Sequence, residues 1–315
     1  RATTTYVTVD TPNALARLTN RVREVPFIGL HAETVVDRDS PSPVDPLRTT
    51  LVALSIAVAP GEAYYLPLRH RHRRPAQQEL LDMDEGVVRE TSGARRIRNL
   101  PPLDAPEMAA LRAILEDPAL GKAVHNAKYD LLVLRRAGVT LRGLEFDTMV
   151  ASYVLDPGRR SHALDVLALE LLNHGLTTYD DLCGKGKLAM PFDECDVDAA
   201  RDYSCQGVDV TLRLRQLFAQ QLESYSLTTL FSDIEMPLVG VLAEMEWTGV
   251  AIDRAWFASL KERFQSERER VEQDIYQAAG GPFNINSNPQ LRQILFETLE
   301  LPVLQRTATG ASTDA

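Results

Sequence analysis

The sequence has no long hydrophobic run. Its longest obvious apolar stretch, Leu51 to Ala59, is strand-sized and far below the roughly 20 residues that cross a bilayer, so no membrane partner is expected. Cysteine is scarce: Cys183, Cys195 and Cys205 form no C-x-x-C pair and have no histidine at zinc-finger spacing. That argues against a structural zinc site and for a reducing cytoplasm. No basic, apolar leader stands at Arg1, so no secretion signal is expected. Positive charge is also short, with 34 Lys and Arg against 44 Asp and Glu and a net charge of −10. Indiscriminate polyanion binding is thereby disfavoured, while a local nucleic-acid groove stays open.

What is present is ordinary globular material, 44% hydrophobic and 25% charged over 315 residues, long enough for two cores. The first two thirds alternate β-rich runs (Phe27 to His31, Leu51 to Ala57, Ala63 to Leu66) with helical patterns at Pro106 to Glu116, Ala127 to Arg136, Asp147 to Leu155 and Leu164 to Leu172. Such alternation predicts an α/β layer fold with a central sheet flanked by helices. Residues 68–105 are charged, aperiodic and Pro- and Gly-containing, and read as an insertion or mobile loop. The basic clusters within and beside it, Arg69 to Arg74 and Arg95, Arg96 and Arg98, read most simply as a solvated loop. From about Val197 the pattern is nearly all helix. Asp253 is a candidate N-cap for a long helix closed by Gly280-Gly281, and Ser287 for a last one. The domain boundary is expected near residues 219–230, giving units 1–222 and 223–315.

Candidate chemistry begins at Asn126-Ala127-Lys128-Tyr129-Asp130, where a strand gives way to a helix. Asp130 in the first helical turn would project at a sheet end, and a carboxylate there is a natural ligand for a hard cation. Taken alone, an aspartate at a helix start is more often structural. Glu33, just beyond the strand Phe27 to His31, points at the same region. Phe146-Asp147-Thr148-Met149, the group Arg159, Arg160 and His162, and Tyr203-Ser204-Cys205-Gln206-Gly207 follow in order.

These blocks, in this order, resemble the 3′→5′ exonuclease (proofreading) domain of bacterial family A DNA polymerases, a ribonuclease-H-like nuclease of the DEDDy type. The resemblance continues through Ile234 to Leu238, Trp247 to Asp253 and Phe283 to Ser287, which look like the entry to the polymerase domain and its thumb. It implies two Mg²⁺ or Mn²⁺ ions that hold the scissile phosphate and activate water. Glu33 and Asp130 would then be metal ligands and Tyr203 the residue that orients the water. Asn126 and Lys128 would support the motif or the DNA end, and Asn284 and Ser287 would contact duplex DNA. The partners implied are a primer 3′ end or single-stranded end, a primer–template duplex and the remainder of the polymerase domain. The setting implied is a monomer in the bacterial cytoplasm, at the nucleoid.

Two positions depart from the pattern. His31 stands where the first-strand Asp is expected, and Gly207 where the late-helix Asp is expected, four residues after Tyr203. An impaired nuclease is therefore expected, and Asp209 faces too far round the helix to substitute. None of the family's palm or finger motifs occurs, so no nucleotide incorporation is expected of this chain. The alternatives are a free-standing active 3′→5′ exonuclease and a non-catalytic DNA-binding module; a metal titration separates them.

Overall fold

The computed structural model describes residues 4–72, 97–186, 189–307 and 310–313. Most of the 68–105 insertion, residues 73–96, lies outside them. The stem of the insertion is inside, and it is pinned: Asn99 accepts from the His70 N–H at 2.9 Å and donates to the His70 carbonyl at 2.8 Å.

Two compact units divide after Gly249. The first holds a six-stranded mixed sheet. Its strands are β1 (Thr5–Thr8), β2 (Phe27–Val36), β3 (Thr49–Ala59), β4 (Glu62–Pro67), β5 (Gly121–Val124) and β6 (Leu144–Asp147), in the order β1-β4-β3-β2-β5-β6. β2 runs antiparallel to β3 and parallel to β5. The helices are α1 (Pro12–Arg23), α2 (Ala109–Leu115), α3 (Ala127–Arg136), α4 (Thr148–Leu155), α5 (Leu164–Leu172), α6 (Tyr179–Cys183) and α7 (Val197–Ser224). Strand alternation sorts the core into two layers. Ile28, Leu30, Leu54, Ile56 and Leu66 pack with α1, α2 and α3, whereas Ala53, Ala57, Ala63, Tyr65 and Ala123 pack with α7.

The odd-numbered residues Gly29, His31 and Glu33 share the α7 face with that second layer. A Cβ on Gly29 would lie 3.0 Å from the Val208 carbonyl oxygen, so glycine is what lets α7 pass this close to β2. A bulge between Glu33 and Thr34 shifts the β2–β3 register by one residue where the chemistry is expected, and pairing resumes from Thr34 to Val36.

A helical turn (Thr228–Leu230) and a π-helical stretch (Phe231–Glu235) lead into α8 (Met236–Thr248). Pro237, which has no N–H to donate, follows the π-helical stretch and accounts for the shifted hydrogen-bond ladder. α8 packs on α3: Arg135 stacks 4.1 Å over the Trp247 ring and pairs with Glu244. With that packing the first compact unit runs to Gly249.

The second unit contains α9 (Arg254–Ala279) and α10 (Asn288–Arg292). Asp253 caps α9 by accepting from the Trp256 N–H at 2.9 Å, and Gly280 closes it in the left-handed region at φ 78°. Ser287 corrects the expectation. It occupies the cap position of α10, but its side chain makes no capping bond; its N–H instead donates to the Asn284 carbonyl at 2.9 Å.

Candidate active site

The site forms where β2 outruns its neighbour. β5 pairs with β2 only as far as Gly29, so the N–H of Ala32 finds no strand partner on that side. Asp130, in the first turn of α3, fills the gap: its Oδ1 accepts from the Ala32 N–H at 3.3 Å. Its Oδ2 is buried without a hydrogen-bond partner and lies 3.6 Å from His31 Nδ1. The other ring nitrogen of His31, Nε2, lies 3.8 Å from Glu33 Oε1. The imidazole therefore stands between the two carboxylates.

Burial alone would lower the His31 pKa, but the Asp130 carboxylate, followed by that of Glu33, outweighs it, and the imidazole is pushed up to about 9. Burial raises the Glu33 carboxyl, opposed by His31 and by the neighbouring Ser204 hydroxyl. Tyr203, on α7, is half-buried, and burial together with the Glu33 charge holds its phenol well above the ordinary value.

A cleft of about 270 Å³ is lined by His31, Glu33, Tyr203, Ser204 and Gly207, with Asp165, Tyr179 and the turn Leu176 to Thr178 on its other wall. A Cβ on Gly207 would meet only Leu164 Cδ2, at 3.6 Å, so the position has room for a side chain. Among the described residues no group of three or more His, Cys, Asp and Glu side chains is arranged to hold a metal ion.

Asn126 and Lys128 flank this site in different ways. Asn126 sits at φ 69°, in the left-handed region that asparagine tolerates, where the chain turns from β5 into α3. Lys128 is paired with Glu246 on α8. Asn284 and Ser287 belong to the second unit. There the Asn284 N–H donates to Gln290 Oε1 at 2.9 Å, and its Oδ1 accepts from the Asn286 N–H at 3.1 Å.

Sequence reasoning noted Asp147 only as part of a block, but it is the post on which the motif turns. Buried at the start of α4, it accepts from the N–H groups of Asn126, Ala127, Met149 and Val150, and so caps α4 while fixing the entry to α3. Asp165, in the first turn of α5, and Tyr179, at the start of the five-residue α6, were not singled out as site residues.

A ribonuclease-H-like layer of helices on a mixed sheet, with carboxylates gathered at the end of its central strand, is the architecture of a nuclease domain. The family model described as 3′-5′ exonuclease matches residues 6–223, and the one described as DNA polymerase family A matches residues 254–315. The chain belongs to the family A DNA polymerases, through their 3′-5′ exonuclease domain and the start of their polymerase domain. It is 37% identical to DNA polymerase I of Pseudomonas aeruginosa over 90% of its length, and 33% identical to that of Rhizobium leguminosarum over 97%, while covering 29% of each relative. The chain thus spans less than a third of those relatives. A solved structure described as the POL domain of Pol1 from M. smegmatis, in complex with DNA primer-template and dNTP, superposes with a TM-score of 0.67 at 26% identity. That match covers 98% of this chain and 44% of the other. Brucella melitensis NrnC bound to pGG shares the fold, with a TM-score of 0.53 at 19% identity over 79% of this chain and 95% of that one.

Proposed function

We propose that this chain is the front portion of a bacterial DNA polymerase I, acting on DNA in the cytoplasm. Its exonuclease cleft receives a single-stranded 3′ end but hydrolyses it slowly or not at all. The observation that carries this reading is His31 between Glu33 and Asp130, with Gly207 opposite.

Two-metal hydrolysis needs anionic oxygen ligands to offset two divalent ions. Glu33 and Asp130 supply two negative charges, Gly207 supplies no ligand, and the imidazole of His31 is a poor partner for Mg²⁺. The donor set does not fit two ions. What the residues do support is binding. Tyr203 and Tyr179 offer ring faces on which exposed bases stack, and an imidazolium at His31 offers positive charge to a terminal phosphodiester. Asn284 and Ser287 in the second unit, beside the short helix α10, are proposed contacts to a primer–template duplex. The whole polymerase is read as a monomer on DNA.

The test is degradation of a 5′-labelled single strand in Mg²⁺ and in Mn²⁺. The unmodified chain should be orders of magnitude slower than His31→Asp combined with Gly207→Asp, and each single change should recover much less. The open space at Gly207 makes the double variant feasible. Robust Mg²⁺-dependent shortening by the unmodified chain overturns the ligand assignment.

A further inference from the structure

The three cysteines are free, yet two of them are not isolated. Cys183, the last residue of α6, and Cys195, one residue before the α7 N-cap Asp196, bring their Sγ atoms to 3.3 Å while both are buried. A disulfide needs an S–S distance of about 2 Å, so the sulfurs must approach by roughly 1 Å, within reach of side-chain torsion. Neither thiol has a part in the cleft chemistry, but each anchors an element that does. α6 begins at Tyr179 on one wall of the cleft, and α7 carries Tyr203 and Gly207 on the other.

We infer that Cys183 and Cys195 are a redox pair, which a peroxide converts to a disulfide that ties the Tyr179 wall of the cleft to the start of α7.

The Cys195 S–H, set beside the Cys183 sulfur, favours the Cys183 thiolate, so Cys183 reacts first. Its sulfur attacks one peroxide oxygen and the O–O bond breaks, giving a sulfenic acid and water. The Cys195 sulfur then attacks the Cys183 sulfur and expels the hydroxyl, which leaves as water with the Cys195 proton. Two thiols lose two protons and two electrons, and one peroxide becomes two waters. The adjoining segment has glycines at positive φ, Gly184 and Gly186, and local opening there admits peroxide without global unfolding. Transient, sensing disulfides of this kind are the ones a reducing compartment permits.

The test treats the full chain with graded hydrogen peroxide, blocks remaining thiols with iodoacetamide, and maps the peptides. The expected result is a Cys183–Cys195 cross-linked peptide that dithiothreitol removes, with Cys205 alkylated throughout. Hydrogen exchange of amides around Tyr179 to Cys183 should slow several-fold in the oxidised chain. In Cys195→Ser, dimedone should label Cys183. Full alkylation of both Cys183 and Cys195 after peroxide, or a cross-link through Cys205, overturns the assignment. The wild-type maps decide it even if the variant misfolds. Unchanged exchange in an oxidised chain overturns the tie to the cleft wall.

Discussion

Removing the Asp147 carboxylate should be among the most costly single changes available in the first unit. The side chain is buried and accepts four backbone N–H groups, at 3.1 Å from Asn126, 2.6 Å from Ala127, 2.8 Å from Met149 and 3.4 Å from Val150. A bond to a charged acceptor contributes about 1.5–3 kcal/mol, and a buried donor left unpaired costs about 1–3 kcal/mol. Counting the three shorter bonds and allowing for relaxation, Asp147→Ala should lose about 3–5 kcal/mol, a large part of a typical domain's stability. Asp147→Asn keeps one oxygen, and asparagine caps helices about as well as aspartate. It should retain the bonds into α4 but turn an NH₂ toward the Ala127 N–H, losing about 2 kcal/mol. Urea unfolding checks this in a Trp256→Phe background, where Trp247, stacked on Arg135 in the first unit, is the remaining tryptophan. The midpoint should fall with an unchanged slope. A loss under about 1 kcal/mol for the alanine variant refutes the argument that Asp147 holds the motif turn.

Lys122 is fully buried, its Nζ donating to the Asp117 carbonyl at 2.5 Å, and burial brings its pKa down to about 8. The unfolded chain then binds more protons between about pH 8 and pH 10.5, so relative to Lys122→Met the wild type should gain up to about 2–3 kcal/mol across that window; parallel pH curves for the two proteins would refute it. Gly143 stands at φ 68° with the Leu120 carbonyl 2.3 Å from the place of a Cβ, so Gly143→Ala should cost about 2 kcal/mol or more. Gly207→Ala, in an uncrowded helical position, should stabilise by about 0.5–1 kcal/mol; thermal midpoints moving the same way in both variants would contradict the pair. In the second unit, Asp253→Ala should lose about 1 kcal/mol with its capping bond, and Ser287→Ala, with none to lose, under about 0.5 kcal/mol, differences that denaturant titration followed by circular dichroism resolves.

Legibility followed periodicity and capping. The spacing gave Ala127 to Arg136 and Leu164 to Leu172 as helices with the observed ends, and Asp253 and Gly280 as the limits of α9. These signals are local, and a sequence displays them directly. Ser287 misled because serine before a proline-led turn looks like a cap, whereas here the local turn is closed by backbone. The role of Asp147 was hidden for the opposite reason. Two of its four bonds cap its own helix, as its position announces, but the other two reach residues 20 and 21 positions back, and nothing local records them. The cleft wall at Tyr179 was missed because α6, at five residues, is too short to show a helical period.

On the proposed reading of the site, the four positions expected to carry carboxylates differ in what else they do, and the difference accounts for how the fold would persist without two of them. Asp130 is bound into the sheet: its Oδ1 supplies the acceptor that β5, having ended, denies to Ala32. Glu33 lies at the bulge where the β2–β3 register shifts, buried beside Ser204, whose hydroxyl bonds Ser55 at 3.0 Å. Removing Asp130 would leave the buried Ala32 N–H without its acceptor. Position 207, by contrast, meets only Leu164 at van der Waals distance, so a side chain there can be lost without leaving a hole or an unpaired donor. Position 31 opens on the cleft, its side chain 38% exposed, with the imidazole between the two carboxylates. An imidazole held 3.6 Å from Asp130 and 3.8 Å from Glu33 lets two neighbouring acidic groups share a site that would otherwise repel them. The chain can thus keep the shape of a nuclease cleft independently of the ligand count that hydrolysis demands.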